Sequence, residues 1–418
     1  MRALTGLPQA LSGSWQCLLG IFVLASLLEV SAWGHIQAFA PLYLQGALDV
    51  AEEDVPRWTG ILAAAPLLLA APLSPFWGVL ADRYSRKMVI LRCFVLSAVA
   101  YCLAALAQDV WQFLAIRLLQ GVTFGSNAVV IAALADLVPH RRLGFAIGMT
   151  QMVFPVGNSV GPLFGSGLIA WLGLRGMLAV DACMSFTAFL LVLLLFHERP
   201  RCRDTSQSVL QQIATVGRTV WHTPAIRLTF VLFALAAGGW TLVVPFLPVL
   251  ITRVYDGPDV AFAIGVILAG FGALAAVAAP AAGRLTDRLT PAHVVTFNMV
   301  GLALMSLGLV VAATPWQIGL VMLLGAIPFG ASNTALFAHL ARYTPREHMT
   351  AVMSLSPLAR TGAMLFAPLL GAVVTGLGLW AVFATALLVY GVAAALSLLL
   401  GRVSGPPLAA LQPERAEP

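Results

Sequence analysis

The sequence predicts an all-α membrane protein with twelve transmembrane helices in two pseudo-symmetric six-helix halves. Three observations carry that expectation. Of the 418 residues, 60% are hydrophobic and only 10% charged, whereas a soluble protein carries about 25% charged residues; the apolar surplus must face lipid. The chain also divides into apolar runs of about 20 residues, the length that crosses a bilayer as a helix. Finally, a polar cluster recurs: Gly78 and Gly283 are each followed four residues later by Asp-Arg (Asp82-Arg83, Asp287-Arg288), and each is preceded three residues earlier by a proline (Pro75, Pro280). A duplicated membrane protein explains the repeat.

The first span, near 17–44, follows a single arginine (Arg2), exceeds a signal-peptide core and is read as retained. Spans 2 and 3, near 57–80 and 88–107, flank the first copy of the cluster, which continues with Arg86 and Lys87. Spans 4, 5 and 6 lie near 110–137, 143–171 and 174–196. Spans 7 to 12 lie near 225–252, 260–282, 292–312, 316–340, 350–376 and 378–400, with the second cluster between spans 8 and 9. All are expected to be helical, because unpaired backbone groups are too costly in lipid and the runs are too long for barrel strands. The halves are therefore 1–197 and 225–401. The linker 198–224 repeats Val209, Leu210, Ile213, Val216, Val220 and Trp221 at helical spacing, as an amphipathic helix on the inner membrane surface would. The Pro-rich polar tail 402–418 has the composition of a disordered segment.

Lysine and arginine orient the spans. With the N-terminus inside, cytoplasmic connectors hold Arg83, Arg86, Lys87, Arg92, Arg141, Arg142, Arg199, Arg201, Arg203, Arg218, Arg284, Arg288, Arg342 and Arg346, while opposite connectors hold only Arg57, Arg175 and Arg253. Both termini are expected in the cytoplasm. The net charge of +6 then reflects topology, and no nucleic-acid partner is expected. The scattered cysteines show neither metal-ligand spacing nor a disulfide framework. The duplication extends further. Trp111-Gln112 matches Trp316-Gln317 and Gly125 matches Gly330 at a shift of 205, while Asn127 matches Asn333 and Pro162 matches Pro368 at 206. Parallel six-span repeats build one large transporter fold.

Gly78-x-x-x-Asp82-Arg83-x-x-Arg86-Lys87 resembles the loop motif between spans 2 and 3 of the major facilitator superfamily, with Ser85 where that family usually has glycine. Arg117-x-x-Gln120-Gly121 resembles its span 4 motif. Gly157-x-x-x-Gly161-Pro162-x-x-Gly165 resembles the span 5 motif of its exporters. The resemblance covers nearly the whole chain and points to the twelve-span drug:proton antiporters. It implies alternating access, no cofactor, a small-molecule substrate and protons as partners, a monomer, and the bacterial plasma membrane. It also links the span 4 arginine to proton coupling and the span 5 motif to sealing the cavity.

The residues themselves suggest roles beside bland alternatives. Gly78, Asp82, Arg83, Arg86 and Lys87 are read as a conformational latch; Asp287 and Arg288 would form a weaker one. The alternative is a charge run that only sets orientation. Glu29 falls about twelve residues into the first span, roughly 18 Å at 1.5 Å per residue, near mid-membrane. An acid there is costly unless protonated or facing a cavity, so it is the prime proton-carrier candidate, and some multidrug exporters of the resembled family have a span 1 glutamate in such a place; the alternative is a glutamate bonded to a neighbouring helix for packing only. Arg117 should meet an acid or broken helix backbone, the alternative to a coupling role being an arginine that ties span 4 to span 1. Arg360, where the first half has Phe154, suggests a substrate or gating contact. His35, six residues after Glu29, has a side chain that titrates near neutral pH, and it and Asp181 of span 6 are each proton-coupling candidates; a packing histidine and a local polar contact are the bland alternatives. Asn127 and Asn333 either line a cavity or join helices. The sequence lacks a nucleotide-binding loop, a metal-ligand cluster and a nucleophile–base arrangement, which disfavours an enzyme. Proton-coupled metabolite uptake, or a non-transporting binding or assembly protein, remain the alternatives to export.

Overall fold

The computed structural model describes residues 15–198, 223–288, 290–344 and 349–403. The expected linker helix, beyond Glu198, and the tail beyond Val403 lie outside them. Within them the helices are α1 (Trp15–Gly46), α2 (Val55–Arg83), α3 (Arg86–Leu106), α4 (Val110–Gln120), α5 (Ser126–Leu137) and α6 (His140–Leu195). They continue with α7 (Pro224–Val243), α8 (Leu247–Val254), α9 (Val260–Arg288), α10 (Pro291–Val311), α11 (Pro315–Tyr343), α12 (Met349–Val374) and α13 (Leu379–Val403). Among the described residues, ten segments are long and apolar enough to cross a membrane. One of them, within α6, turns at Gly173 (φ 72°, ψ 178°) and so supplies spans 5 and 6. Span 4 is divided between α4 and α5. Twelve spans result among the described residues.

Two breaks correct the expectation of continuous helices. Span 4, expected unbroken over 110–137, passes through a short 3-10 turn at Gly121–Thr123, an extended Phe124 and a left-handed Gly125 (φ 105°). Gly121 is required by proximity: a Cβ there would stand 2.2 Å from the Pro66 carbonyl oxygen of α2. Span 7 breaks at residues 244–246, where Pro245 and Pro248 deny the helix two backbone donors. Hydropathy counts apolar residues but does not register either interruption.

Helix starts explain part of the repeat. Asp109 caps α4, its carboxylate accepting the N–H groups of Trp111 (2.9 Å) and Gln112 (2.8 Å), while the Gln112 side chain accepts the Gln108 N–H (3.0 Å). Thr314 caps α11 in a reciprocal box with Gln317. The duplicated Trp-Gln pair thus marks the same capped entry twice. Gly125 and Gly330 differ. Gly125 breaks its span, whereas Gly330 lies inside the continuous α11, where a Cβ would stand 2.1 Å from the Ala275 carbonyl oxygen.

The chain forms two compact units: Met1–Ser206 with Gly257–Gly272, and Gln207–Asp256 with Ala273–Pro418. In the first, α6 packs along α1 and α3; in the second, α7 packs on α12 and α13, and α10 packs on α13. Span 1 against spans 5 and 6 therefore has its counterpart in span 7 against spans 11 and 12, as the duplication requires. An apolar cluster of the first unit, including Phe22, Phe94, Val129, Leu134, Val192 and Phe196, joins spans 1, 3, 4 and 6. Phe22 and Phe196 meet edge to face at 5.0 Å.

Candidate functional site

The first unit carries a buried polar stripe on α1. Glu29 is part-buried, and the Ser185 hydroxyl of span 6 donates to its Oε2 at 2.8 Å, with the Ser97 hydroxyl of α3 also beside it. Six residues on, His35 is 1% exposed and its Nδ1 lies 2.6 Å from Oδ1 of Asp181, itself 0% exposed. His35 Nε2 and Asp181 Oδ2 have no hydrogen-bond partner among the described residues. Sequence reading treated these two residues separately; the fold joins them across 146 positions of chain.

Arg117 is 2% exposed. Its Nε donates to the Leu62 carbonyl of α2 (3.2 Å), one terminal nitrogen donates to Gln120 Oε1 (2.7 Å), and its guanidinium lies 4.7 Å from the Trp33 ring of α1. These partners are neutral: a carbonyl, an amide and a ring. The arginine sits one turn before the break in span 4 and ties α4 to α1 and α2.

The span 5 glycines form the bed on which α1 lies. A Cβ at Gly157 would stand 2.7 Å from Val30 Cγ1, one at Gly161 3.1 Å from the Ser31 carbonyl oxygen, and one at Gly165 2.7 Å from His35 Cδ2 and 2.8 Å from Phe39 Cε2. The Pro162 carbonyl oxygen and the Ser159 side chain meet the first part of α9, where a Cβ at Gly265 or Gly272 would collide with them. Small residues thus let span 5 lie close to a helix on either side.

At the start of α3, Ser85 caps the helix by accepting the Met88 N–H (3.1 Å). Glu198, which sequence reading passed over as a linker residue, accepts the Ser85 hydroxyl (2.5 Å) and the backbone N–H groups of Arg86 (2.9 Å) and Lys87 (3.0 Å). Arg86 is buried and donates to the Ala132 carbonyl (2.7 Å), and Lys87 Nζ donates to the Leu193 carbonyl (2.7 Å). Arg83 is exposed, 5.6 Å from the Tyr84 ring. Burial alone would raise the Glu198 pKa. The hydrogen bonds from Ser85, Lys87 and Arg86, with the Arg86 charge, outweigh it and hold the carboxyl below its ordinary value. The only sequence signal for this site was an acid just beyond a span end. The side-chain environments of Gly78, Asp82, Asp287 and Arg288 lie outside the described residues.

Asn127 is exposed, its amide 3.4 Å from Gln151 Oε1 of span 5. In the second unit, Asn333 and Arg360 are part-buried on α11 and α12. A buried pair there escaped the sequence reading: Thr229 Oγ1 of α7 and His339 Nδ1 of α11, 2.9 Å apart. Neither unit shows a metal-ligating group of three or more His, Cys, Asp or Glu among the described residues.

The Major Facilitator Superfamily profile matches residues 22–368 and 261–418, and the chain belongs to that superfamily. It is a multi-pass integral membrane transporter of small molecules, not an enzyme. It is 28% identical over 379 residues to the Multidrug resistance protein MdtG of Serratia proteamaculans (strain 568), covering 90% of this chain and 92% of the relative. To the MdtG of Enterobacter lignolyticus (strain SCF1) it is 29% identical over 365 residues, covering 87% and 86%. Among solved structures, it resembles a bacterial homologue of the human lysosomal transporter Spinster in an inward-facing, unoccupied conformation. That match has a TM-score of 0.76 and 17% identity, over 93% of this chain and 97% of the other. The nucleoside transporter NupG aligns with a TM-score of 0.75 and 14% identity, over 92% and 98%. At these identities the structural matches define the fold alone.

Proposed function

We propose that this transporter exports amphipathic, cationic small molecules in exchange for protons by alternating access. The observation that carries the reading is Glu29, an acid in the middle of span 1 hydrogen-bonded to Ser185, in a chain 28% identical to proteins named for multidrug resistance. A proton entering from outside neutralises Glu29; a lipophilic cation arriving from inside competes with that proton, and the halves 1–197 and 225–401 alternate about the site. Arg117 braces span 4 beside its break, and Arg360 contributes to substrate contact or gating in the other half. The loop residues from Gly78 to Lys87 act as a latch, with Glu198 anchoring its helix end, and Asp287 and Arg288 brace the second half. The protein works as a monomer in the bacterial plasma membrane with both termini cytoplasmic.

Purified protein in liposomes, with tetraphenylphosphonium as probe, provides the test. An imposed pH gradient should drive cation movement opposite to the proton movement, and Glu29→Gln should abolish that exchange while the variant elutes and melts as a folded protein. Wild-type exchange by Glu29→Gln would remove Glu29 from the mechanism.

A further inference from the structure

His35 and Asp181 pose a problem that packing does not answer. Both are essentially inaccessible, they face each other at 2.6 Å, and each keeps a second polar atom, Nε2 or Oδ2, without a partner among the described residues. A pair kept only to join spans 1 and 6 gains one hydrogen bond while leaving two buried polar atoms unsatisfied, each a net cost. An apolar contact would join the helices more cheaply.

We propose that His35 and Asp181 together form a second proton-binding site, distinct from Glu29, so that each transport cycle exchanges two protons; the proposal rests on the antiport reading above. One proton always lies between Nδ1 and Oδ1, because two bare lone pairs would repel at 2.6 Å. With that proton alone the pair carries a net charge of −1. A second proton, taken up on Nε2, makes the pair neutral, whether drawn as imidazolium with carboxylate or as imidazole with carboxylic acid. The Nδ1–Oδ1 contact survives both states. The pair therefore changes charge as a single carboxyl would, but the arriving proton binds at imidazole Nε2.

Its surroundings fit this task. The titratable groups facing it are Glu29 on its own helix and Tyr101 on α3, and behind Tyr101 the charged Arg117 of α4. Span 5 presents Gly161 and Gly165, which carry no charge. Gly165 lies against the Cδ2 edge of the ring, the edge adjoining Nε2, and has no side chain because a Cβ would stand 2.7 Å from that carbon. The last glycine of the span 5 row thus fixes where the acceptor nitrogen sits.

The ratio of protons to tetraphenylphosphonium, from reversal potentials in proteoliposomes, decides the matter. Wild type should exchange two protons per cation, and Asp181→Asn, which keeps a hydrogen bond to His35 but cannot carry the charge, should exchange one. His35→Gln leaves a lone carboxyl and should keep exchange while shifting its pH midpoint. Gly165→Ala should shift the midpoint too, whereas Gly148→Ala, with nothing within 4 Å of its added methyl, should not. A wild-type ratio of one overturns the proposal even if no variant folds. So does an Asp181→Asn ratio equal to wild type. Loss of exchange in Glu29→Gln alongside a wild-type ratio of one leaves the antiport reading standing and removes only this site.

Discussion

Glu198 shows how one side chain outside the membrane can hold a helix end in place. Its carboxylate receives three hydrogen bonds at the start of α3, where the helix dipole also favours negative charge. Because its folded pKa is depressed, its stabilisation is present above the unfolded value of about 4.3 and is lost as pH falls through the lower folded value. Glu198→Gln should cost about 1 kcal/mol at neutral pH, the size of a lost cap trimmed by solvent screening. The gap between wild type and variant in detergent thermal melts should close on acidification below pH 4. A gap independent of pH would mean that the carboxylate charge contributes nothing. This residue was not legible in the sequence, because an acid in a linker looks solvated until the fold sets it on a helix terminus. The His35–Asp181 pair was illegible for a related reason: its partners lie 146 positions apart, and no local pattern joins them. Glu29 was legible, since an acid inside an apolar run is unusual on composition alone.

Elements were legible where apolar length decided them and illegible where backbone geometry did. All twelve spans fall near their expected positions, and Asp109 and Thr314 cap helices that the repeated Trp-Gln pair announces. The break in span 4 depends on Gly121 and Gly125 serving different needs, close approach to Pro66 and a positive φ. Glycine in a membrane helix is common, so its presence gave no warning. Gly121→Ala should cost on the order of 1–3 kcal/mol, because its methyl meets main chain rather than a side chain that could rotate away. Gly125→Ala should cost about 1 kcal/mol for the left-handed backbone. Melting temperatures in detergent should rank wild type above Gly125→Ala and Gly125→Ala above Gly121→Ala. Equal melting of Gly121→Ala and wild type would mean that α2 and span 4 are not held at this spacing. The break places Arg117 next to loosened backbone, so Gly121→Ala should also lower exchange more than its effect on the melt accounts for.

For the whole molecule, charge asymmetry and gradient thermodynamics make separate predictions. Connectors assigned to the inside collect nearly all the arginines, so a fluorescent protein fused after Pro418 should fluoresce in cells and a fused alkaline phosphatase should be inactive. Insertion direction does not bear on coupling, however, because a secondary transporter runs whichever way its gradients drive it. In vesicles with an acidic lumen, protons leave through the carrier. An antiporter must then bring its substrate into the lumen, whatever fraction of molecules is inserted in each sense. A proton symporter must carry its substrate out with the protons. Lumen-acid vesicles containing this protein should therefore accumulate tetraphenylphosphonium above an empty-vesicle control clamped at the same membrane potential. A protonophore should release that excess. Accumulation only when the gradient is reversed would make the protein a symporter, and the proton at Glu29 would then accompany the cargo instead of competing with it.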